Sequence, residues 1–413
     1  MGRKRPGSRP SSRRAVLAGT AAAAISAALP LRFAHGANGK LKIGIIMPRT
    51  GAQAQGGIDA QRGADVAYDV LKDKGYPEPE LMLGDSENNP QIARVQAERL
   101  IEAGAHVLSG CFDSGATMTV AQVAEQKGIP FVVNIAVADA ITEQGYKTVF
   151  RAFPTGMMFA LDAFALQKEL FKVAGRAPKT MVMLHVNDTF GTPQRDLTVK
   201  LVPQHDMPYT IVETIGYDPM ARDLSAEVRK AKATNAELVW LNSRVNDSIL
   251  IIQEMVKQRW EPMGIFNTGP GSFQVPFMQA LGKLSDDIIT FAPWYDPNKP
   301  MTKALEAAFA KRFPDRLLNL SHAATFEAVL VALDAYKRAG STEPAKLIEA
   351  LRKTDLKDNT SIGPGVRFND KGQCPDTRIA GIQNRGGKNV IVVPVAAANA
   401  KPIWPQRPWR ERG

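Results

Sequence analysis

Cysteine is scarce: Cys111 and Cys374 are the two in a chain of 413 residues. That excludes a disulfide scaffold. Cys111 ends an apolar, strand-like run, and both thiols are expected to be unpaired. Histidine is nearly as rare. His35, His106, His185, His205 and His322 show no paired spacing with cysteines or carboxylates, so a metal site is not supported and no cofactor is implied. The Gly-rich segment Pro48–Gly57 lacks the G-x-G-x-x-G spacing and the G-K-[ST] ending, which argues against a nucleotide loop. There is no G-x-S-x-G elbow, and no Ser or Cys comes with a credible base and orienting acid. Hydrolase chemistry therefore lacks its parts. Beyond the leader, no apolar run reaches the roughly 18 residues of a membrane span.

Acidic residues are missing from one place in particular. Residues 1–36 hold seven basic residues and no acid. Without them the chain keeps 45 basic against 41 acidic residues, a net charge of +4 in place of +11. A body that mildly basic does not argue for a nucleic-acid partner. Ser12-Arg13-Arg14-Ala15-Val16-Leu17 is followed by an Ala-rich run to Leu31 and by the small-residue pattern Ala34-His35-Gly36. The segment resembles a twin-arginine export signal, with residues 1–37 removed. No Cys lies in or just after it, so a lipid anchor is not expected. The mature protein is expected to be soluble and periplasmic.

The rest is globular in composition, 44% hydrophobic and 23% charged, and its length suits two domains. Leu41–Met47 is a short apolar run stopped by Pro48, the pattern of a buried strand. Asn89-Pro90 is a helix start, a cap followed by Pro at the first helical position. Strands at Glu80–Leu83, Ala105–Leu108 and Ile129–Val133 alternate with helices, which requires a parallel sheet covered on both faces. After Arg151 the alternation restarts. Strands are expected at Thr180–Leu184, Tyr209–Ile215, Leu238–Leu241 and Gly264–Phe266, and later at Val366–Phe368, Thr377–Gln383 and Asn389–Val393. The Pro- and Arg-rich end, Lys401 to Gly413, is expected to be loose.

Ligands of open parallel sheets sit beyond the carboxyl ends of the strands. That singles out the loops Pro48–Gly57, Cys111–Thr117, Asn134–Asp139, Val186–Gly191 and Asn242–Asp247. In the second, Ser114-Gly115 sits at a helix start, where free N–H groups suit a carboxylate; a plain Ser cap is the competing reading.

Several segments together carry a family resemblance. They are Lys42–Ile46 with Thr50-Gly51, Arg62-Gly63-Ala64, Asp85–Pro90, Gly110 with Ser114-Gly115, and Gly128-Ile129-Pro130. Phe150-Arg151, Phe190-Gly191, Asp223-Leu224-Ser225, and Gly363-Pro364 with Phe368 follow. Over residues 40–395 the chain resembles the type I periplasmic solute-binding proteins of ABC importers, the branched-chain amino-acid and amide-binding class. The resemblance implies an α/β fold of two doubly wound parallel-sheet lobes joined by three crossing segments. It puts the lobes at 38–150 plus 294–374 and at 151–293 plus 375–413. It also implies hinge closure over a ligand, no chemistry, and delivery to a membrane permease.

Carried over residue by residue, the resemblance places Ser114 on the ligand carboxylate. Val137 stands where the amino-acid binders have Thr or Ser. Arg244 stands where they can have Tyr, and Phe190 where an aromatic side chain stacks on the ligand. The loop Asn267–Gly271 lacks the acid that holds an ammonium. A buried Arg244 without an anion would be costly, as would a buried ammonium without one. These departures favour an organic acid, with a ring or branched chain, over an α-amino acid. Arg49, Trp294 and His322 are further candidates for the cleft. Two other readings are a cytoplasmic ligand-sensing regulator of the same fold, against which the leader argues, and a periplasmic amidase, which lacks a nucleophile–base pair.

Overall fold

The computed structural model describes residues 39–412. The leader with Arg13-Arg14 lies outside them. The first sheet is built from β1 (Lys42–Met47), β2 (Glu80–Asp85), β3 (Val107–Gly110), β4 (Phe131–Val133) and β5 (Val149–Arg151). All pairs are parallel, in the order β2-β1-β3-β4-β5. Each strand returns through a helix: α1 (Ala54–Leu71), α2 (Pro90–Glu102), α3 (Ser114–Lys127) and the short α4 (Ala140–Glu143). β1 is buried from Ile43 to Met47, as a parallel strand covered on both faces must be. Asn89 caps α2 as expected, its side chain accepting from the amides of Gln91 and Ile92.

The second sheet continues with β6 (Thr180–Val186), β7 (Thr210–Tyr217), β8 (Leu238–Asn242), β9 (Gly264–Asn267) and β10 (Ile289–Pro293). The helices between them are α5 (Gly156–Ala174), α6 (Gly191–Leu201), α7 (Ser225–Ala233), α8 (Val245–Lys257) and α9 (Val275–Leu281). The chain then returns through α10 (Pro300–Arg312), α11 (Leu320–Ala339) and α12 (Pro344–Arg352). These pack on the first sheet: Met301 and Phe309 of α10 and Phe326 and Val329 of α11 share a core with Ile43, Ile45 and Val66. A small ribbon follows, β11 (Asp355–Leu356) against β12 (Val366–Arg367). The hairpin β13 (Ile379–Arg385) and β14 (Lys388–Val393) then rejoins the second sheet, whose order is β14-β13-β10-β9-β8-β6-β7.

The chain thus passes between the lobes after β5, after β10 and ahead of β13. At the first and third passages the Arg151 amide donates to the Gly372 carbonyl (2.7 Å), and the Cys374 amide donates to the Arg151 carbonyl (3.0 Å). Both cysteines are free and buried.

Three features depart from expectation. β5 and β10 are strands that the alternation did not reveal; β5 has three residues, too few to show a period. The second sheet is mixed, because β13 pairs antiparallel with β10 and with β14. Gly386-Gly387 turns that hairpin with φ of 54° and 73°, the left-handed geometry that a two-residue hairpin loop needs. The third departure is the C-terminal end, which is not loose. The Trp404 indole stacks on Phe266 at 5.0 Å, and a Cβ on Gly264 would lie 2.0 Å from it. Arg407 grips Asp287 through Nε (2.7 Å) and Nη2 (2.8 Å). Among the described residues no helix is long and apolar enough to cross a membrane.

Candidate ligand-binding site

The carboxyl ends of β3 and β4 in one lobe face those of β6, β8, β9 and β10 in the other. Between them lies a cavity of about 60 Å³. That is several times the roughly 10–15 Å³ that one water requires, and it suits a small ligand rather than a peptide. The first lobe contributes Asp113 and Ser114 at the start of α3 and Ile135–Val137 after β4; the second contributes Phe190, Arg244 and Thr268–Pro270. Phe153, Phe159 and Phe273 complete a wall that is mostly aromatic and aliphatic.

Asp113, not Ser114, caps α3. Its Oδ1 accepts from the amides of Gly115 (2.9 Å) and Ala116 (3.2 Å). A helix leaves its first N–H groups without intrahelical acceptors, so the Ser114 amide is the one this cap does not use. The Ser114 hydroxyl accepts weakly from the Ala138 amide (3.4 Å), which ties the start of α3 to the Val137 loop. The loop itself is fixed from behind. Arg151 donates through Nη1 to the carbonyls of Ala136 (3.2 Å) and Ala138 (2.8 Å), and the Val137 carbonyl accepts from the Gly156 amide (2.7 Å). Phe112, just ahead of the cap, has φ of 76°. A bulky residue in that region is strained, by about 1–3 kcal/mol. Its ring packs where a Cβ on Gly56 would stand, 2.7 Å away.

Arg244 is where the sequence reading needs correction. That reading leaves the guanidinium in want of an anion, and the protein itself supplies two. Nη1 meets Asp188 Oδ2 at 2.6 Å, and Nη2 meets Asp113 Oδ2 at 3.2 Å. The group also lies over the Phe190 ring at 5.2 Å. Burial works against the charge, but Asp188 and Asp113 outweigh it and hold the pKa above the usual arginine value. Asp188 resembles Asp113 in its other duty: its Oδ1 accepts from the amides of Phe190 and Gly191, both at 2.9 Å, at the start of α6. Asp247 receives the Arg244 amide and the Tyr217 hydroxyl (2.6 Å); burial nevertheless raises its pKa.

Ser114, Val137, Phe190 and Arg244 therefore meet in one cavity. Arg49, Trp294 and His322 do not line it. Arg49 is exposed, and its amide is tied to Asp85 (2.8 Å). Trp294 is buried at the second passage between lobes, edge-on to Phe273 and stacked on Tyr295. His322 is buried inside the first lobe. Its Nδ1 accepts from the Asn319 amide (3.0 Å), and its Nε2 lies 3.5 Å from Asp59. Burial lowers the His322 pKa despite that carboxylate. Sequence reasoning missed Asp113, Asp188 and the three phenylalanines. The two acids stand in loops already singled out, and acids at helix starts were the available signal. The hydroxyl of Thr268 is committed to Trp240 Nε1 (2.8 Å) and Asn242 Oδ1 (3.0 Å), and Asn267–Gly271 brings no acid to the wall.

This geometry can be set beside known proteins. The chain matches the model of the family described as periplasmic binding protein over residues 40–388. It is 28% identical over 401 residues to Leu/Ile/Val-binding protein homolog 7 of Brucella suis, covering 93% of this chain and 98% of that one. It is likewise 28% identical over 377 residues to homolog 8 of Brucella abortus, covering 87% and 92%. Among solved structures, a leucine-binding protein from Thermotoga maritima superposes with a TM-score of 0.74 at 19% identity, covering 85% of this chain and 97% of that chain. A solute-binding protein of an ABC transporter from R. palustris, solved with benzoate, gives 0.72 at 19%, covering 88% and 98%. Such likeness shows the fold; the family match shows membership. The two-sheet fold is shared with those solved structures, and the chain belongs to the periplasmic binding protein family.

Proposed function

We propose that the chain is the periplasmic substrate-binding component of an ABC importer and captures a small organic acid carrying a ring or a branched chain. The observation that carries this reading is the cavity wall, aromatic and aliphatic over most of its surface, with Ser114 at the start of α3 among a few polar groups, Gln53, Asp113, Arg244 and Thr268, from both lobes. The ligand carboxylate is received by the Ser114 hydroxyl and amide and by the amides of the Val137 loop, at the positive end of α3. Val137, Phe153, Phe159 and Phe190 take the apolar part. Lobes at 38–150 plus 294–374 and at 151–293 plus 375–413 close over it as a hinge. No chemistry follows, and the closed form docks on a membrane permease.

Arg244 acts from the rim, holding Asp113 of one lobe to Asp188 of the other. A second reading, an amino-acid or amide ligand as the Brucella relatives' names suggest, draws on Asp113, whose carboxylate stands in the cavity wall. Against it, both Asp113 oxygens are already engaged. Calorimetry with leucine, 4-methylpentanoate and benzoate separates the two. The acids are expected to bind and leucine to bind at least tenfold more weakly; tight leucine binding would sink the organic-acid reading. Export through the twin-arginine route belongs to the same proposal. Changing Arg13 and Arg14 to Lys is expected to leave precursor in the cytoplasm, and unchanged periplasmic delivery would refute it.

A further inference from the structure

We infer that the ligand site has a second compartment, read by Gln274, which takes a neutral hydrogen-bonding group of the ligand, a carboxamide or a hydroxyl. The inference rests on the organic-acid reading and narrows it: the acid carries such a group besides its carboxylate. Next to the first cavity lies another of about 90 Å³. Gln53, Phe112, Arg244 and Pro270 line both, so the two are neighbours with one wall in common. The second cavity is rich in amides where the first is aromatic, since Gln53, Gln55 and Gln274 bring three carboxamides to it. Gln274 is the informative one. It is 3% exposed, and its main-chain carbonyl accepts from the amides of Phe277 (3.1 Å) and Met278 (3.3 Å). Its side chain has no hydrogen-bond partner among the described residues. A buried polar group left unpaired is costly, and most in folded proteins are paired. An apolar side chain of the same length would avoid that cost, so packing alone does not account for a glutamine here. Gln53 and Gln55 spend their NH2 groups on Asn88 and Asp59, both at 2.8 Å, and their side-chain oxygens have no donor among the described residues. The second cavity therefore offers donors from Gln274 and acceptors from all three amides. Among the described residues Arg244 is the one charged group in its wall, and Asp113 and Asp188 already meet that guanidinium. A ligand carboxylate or ammonium would find no free counter-charge there, whereas a neutral amide or hydroxyl would find its partners. The common wall draws on both lobes, Gln53 and Phe112 from the first and Arg244 and Pro270 from the second. Under the proposed closure it is assembled around a ligand already in place, which can therefore span it.

Calorimetry on the mature chain with two acids of matched size tests this. Adipamate ends in a carboxamide, and 6-methylheptanoate ends in an isopropyl group of nearly the same shape. The unchanged protein is expected to bind adipamate at least tenfold more tightly, because the apolar analogue leaves the Gln274 carboxamide unpaired. Gln274→Met keeps the length of the side chain and removes its polar atoms. That preference is expected to be lost in the variant, through a fall in adipamate affinity at an unchanged melting temperature. Ser114→Ala serves as the reference, since it should weaken both acids alike. Equal affinity for the two acids in the unchanged protein overturns the inference while the organic-acid reading stands. An undiminished preference in Gln274→Met does the same, and so does binding of benzoate but of neither longer acid. Should leucine bind and none of the acids, the organic-acid reading falls and this inference with it. If Gln274→Met does not fold, the ratio of the two affinities in the unchanged protein still decides the matter.

Discussion

Arg151 and Arg244 both bring a guanidinium out of water beside the cavity, and the protein satisfies the two charges differently. Arg151 is fully buried, and all its bonds go to neutral oxygens: two loop carbonyls, the Thr142 hydroxyl (2.8 Å) and the Gln373 side chain (2.6 Å). Burial pulls its pKa down to about 10, with Asp139 and Glu143 opposing from a distance. Arg244 keeps 16% of its side-chain surface and meets two carboxylates. The partners of Arg151 lie in one lobe and in the third passage between lobes, so under the proposed hinge closure its network would hold whether the cleft is open or shut. Asp113 and Arg244 belong to opposite lobes, so under the same proposal their bond would form only when the cleft shuts. The first arginine builds the site, and the second fastens it.

The strongest way to break this contrast is to remove the builder. Arg151→Met replaces the charge with apolar volume but removes the donor to the buried Ala136 carbonyl, one donor each to Thr142 and Gln373, and one of the two donors to Ala138, whose carbonyl keeps the Ile141 amide (3.2 Å). A buried acceptor left without a donor costs about 1–3 kcal/mol, and the other lost bonds add to it, so a loss of roughly 3 kcal/mol or more is expected in chemical denaturation. Salt should leave that loss unchanged. Near-normal stability in Arg151→Met would show that the loop is held by something else.

Removing the fastener should act on closure and binding instead. Arg244→Ala leaves Asp113 and Asp188 facing each other across the cleft with no cation between them. Losing one partner of such a charge pair costs about 2–5 kcal/mol, so ligand affinity is expected to fall by roughly 30-fold or more. X-ray scattering of the free protein should show a larger radius than in the unchanged chain, with stability nearly unaltered. Raising the salt should enlarge the unchanged protein's radius in the same direction, because the pair is partly exposed and screened. A variant as compact as the parent and with full affinity would remove Arg244 from the account.

How much of this was legible in the sequence differs by the range of the interactions. β1, the Asn89 cap and the two-lobe alternation rest on local pattern, and they could be read. The lining of the cavity by Ser114, Val137, Phe190 and Arg244 followed from loop position and family likeness. The pairing of Arg244 with Asp113 spans 131 positions, and no local rule announces it. The same holds for the C-terminal end. Its composition reads as loose, while its anchors, Gly264, Phe266 and Asp287, lie more than a hundred residues earlier. Phe153, Phe159 and Phe273 look like ordinary core residues until the two sheets are placed face to face.

A third buried ionic group sharpens the contrast within one lobe. His322 and Asp59 lie between α11 and α1 and make no contact with the cavity. Burial lowers the His322 pKa from its ordinary 6.5, with Asp59 opposing. The unfolded chain therefore takes up a proton near pH 6.5 while the folded chain still refuses it. Stability should fall as pH drops below about 6.5, by up to about 1.4 kcal/mol per pH unit until the folded imidazole also titrates. Asp59, held below 3.8 against burial by His322, Asn319 and Arg62, adds a loss of the same sign at lower pH. His322→Gln should flatten the slope between pH 6.5 and 5. Ligand affinity should be unmoved over that range, and a matching change in affinity would tie this pair to the cleft after all.

The smallest expected effect belongs to Ser114, and its smallness is informative. The hydroxyl is one donor among several at the start of α3. The Asp113 cap is unaffected by its loss, since that carboxylate bonds to the amides of Gly115 and Ala116. Ser114→Ala therefore keeps the helix, the Ser114 amide and the Val137 loop, and removes one neutral hydrogen bond. Such a bond is worth about 1 kcal/mol, or roughly fivefold in affinity. Calorimetry with a monoacid should show that loss at unchanged melting temperature, smaller than the loss in Arg244→Ala. If Ser114→Ala were the more damaging of the two, the carboxylate would depend on the hydroxyl rather than on the amides. Arg244 would then be an ornament of the closed form and not its fastener.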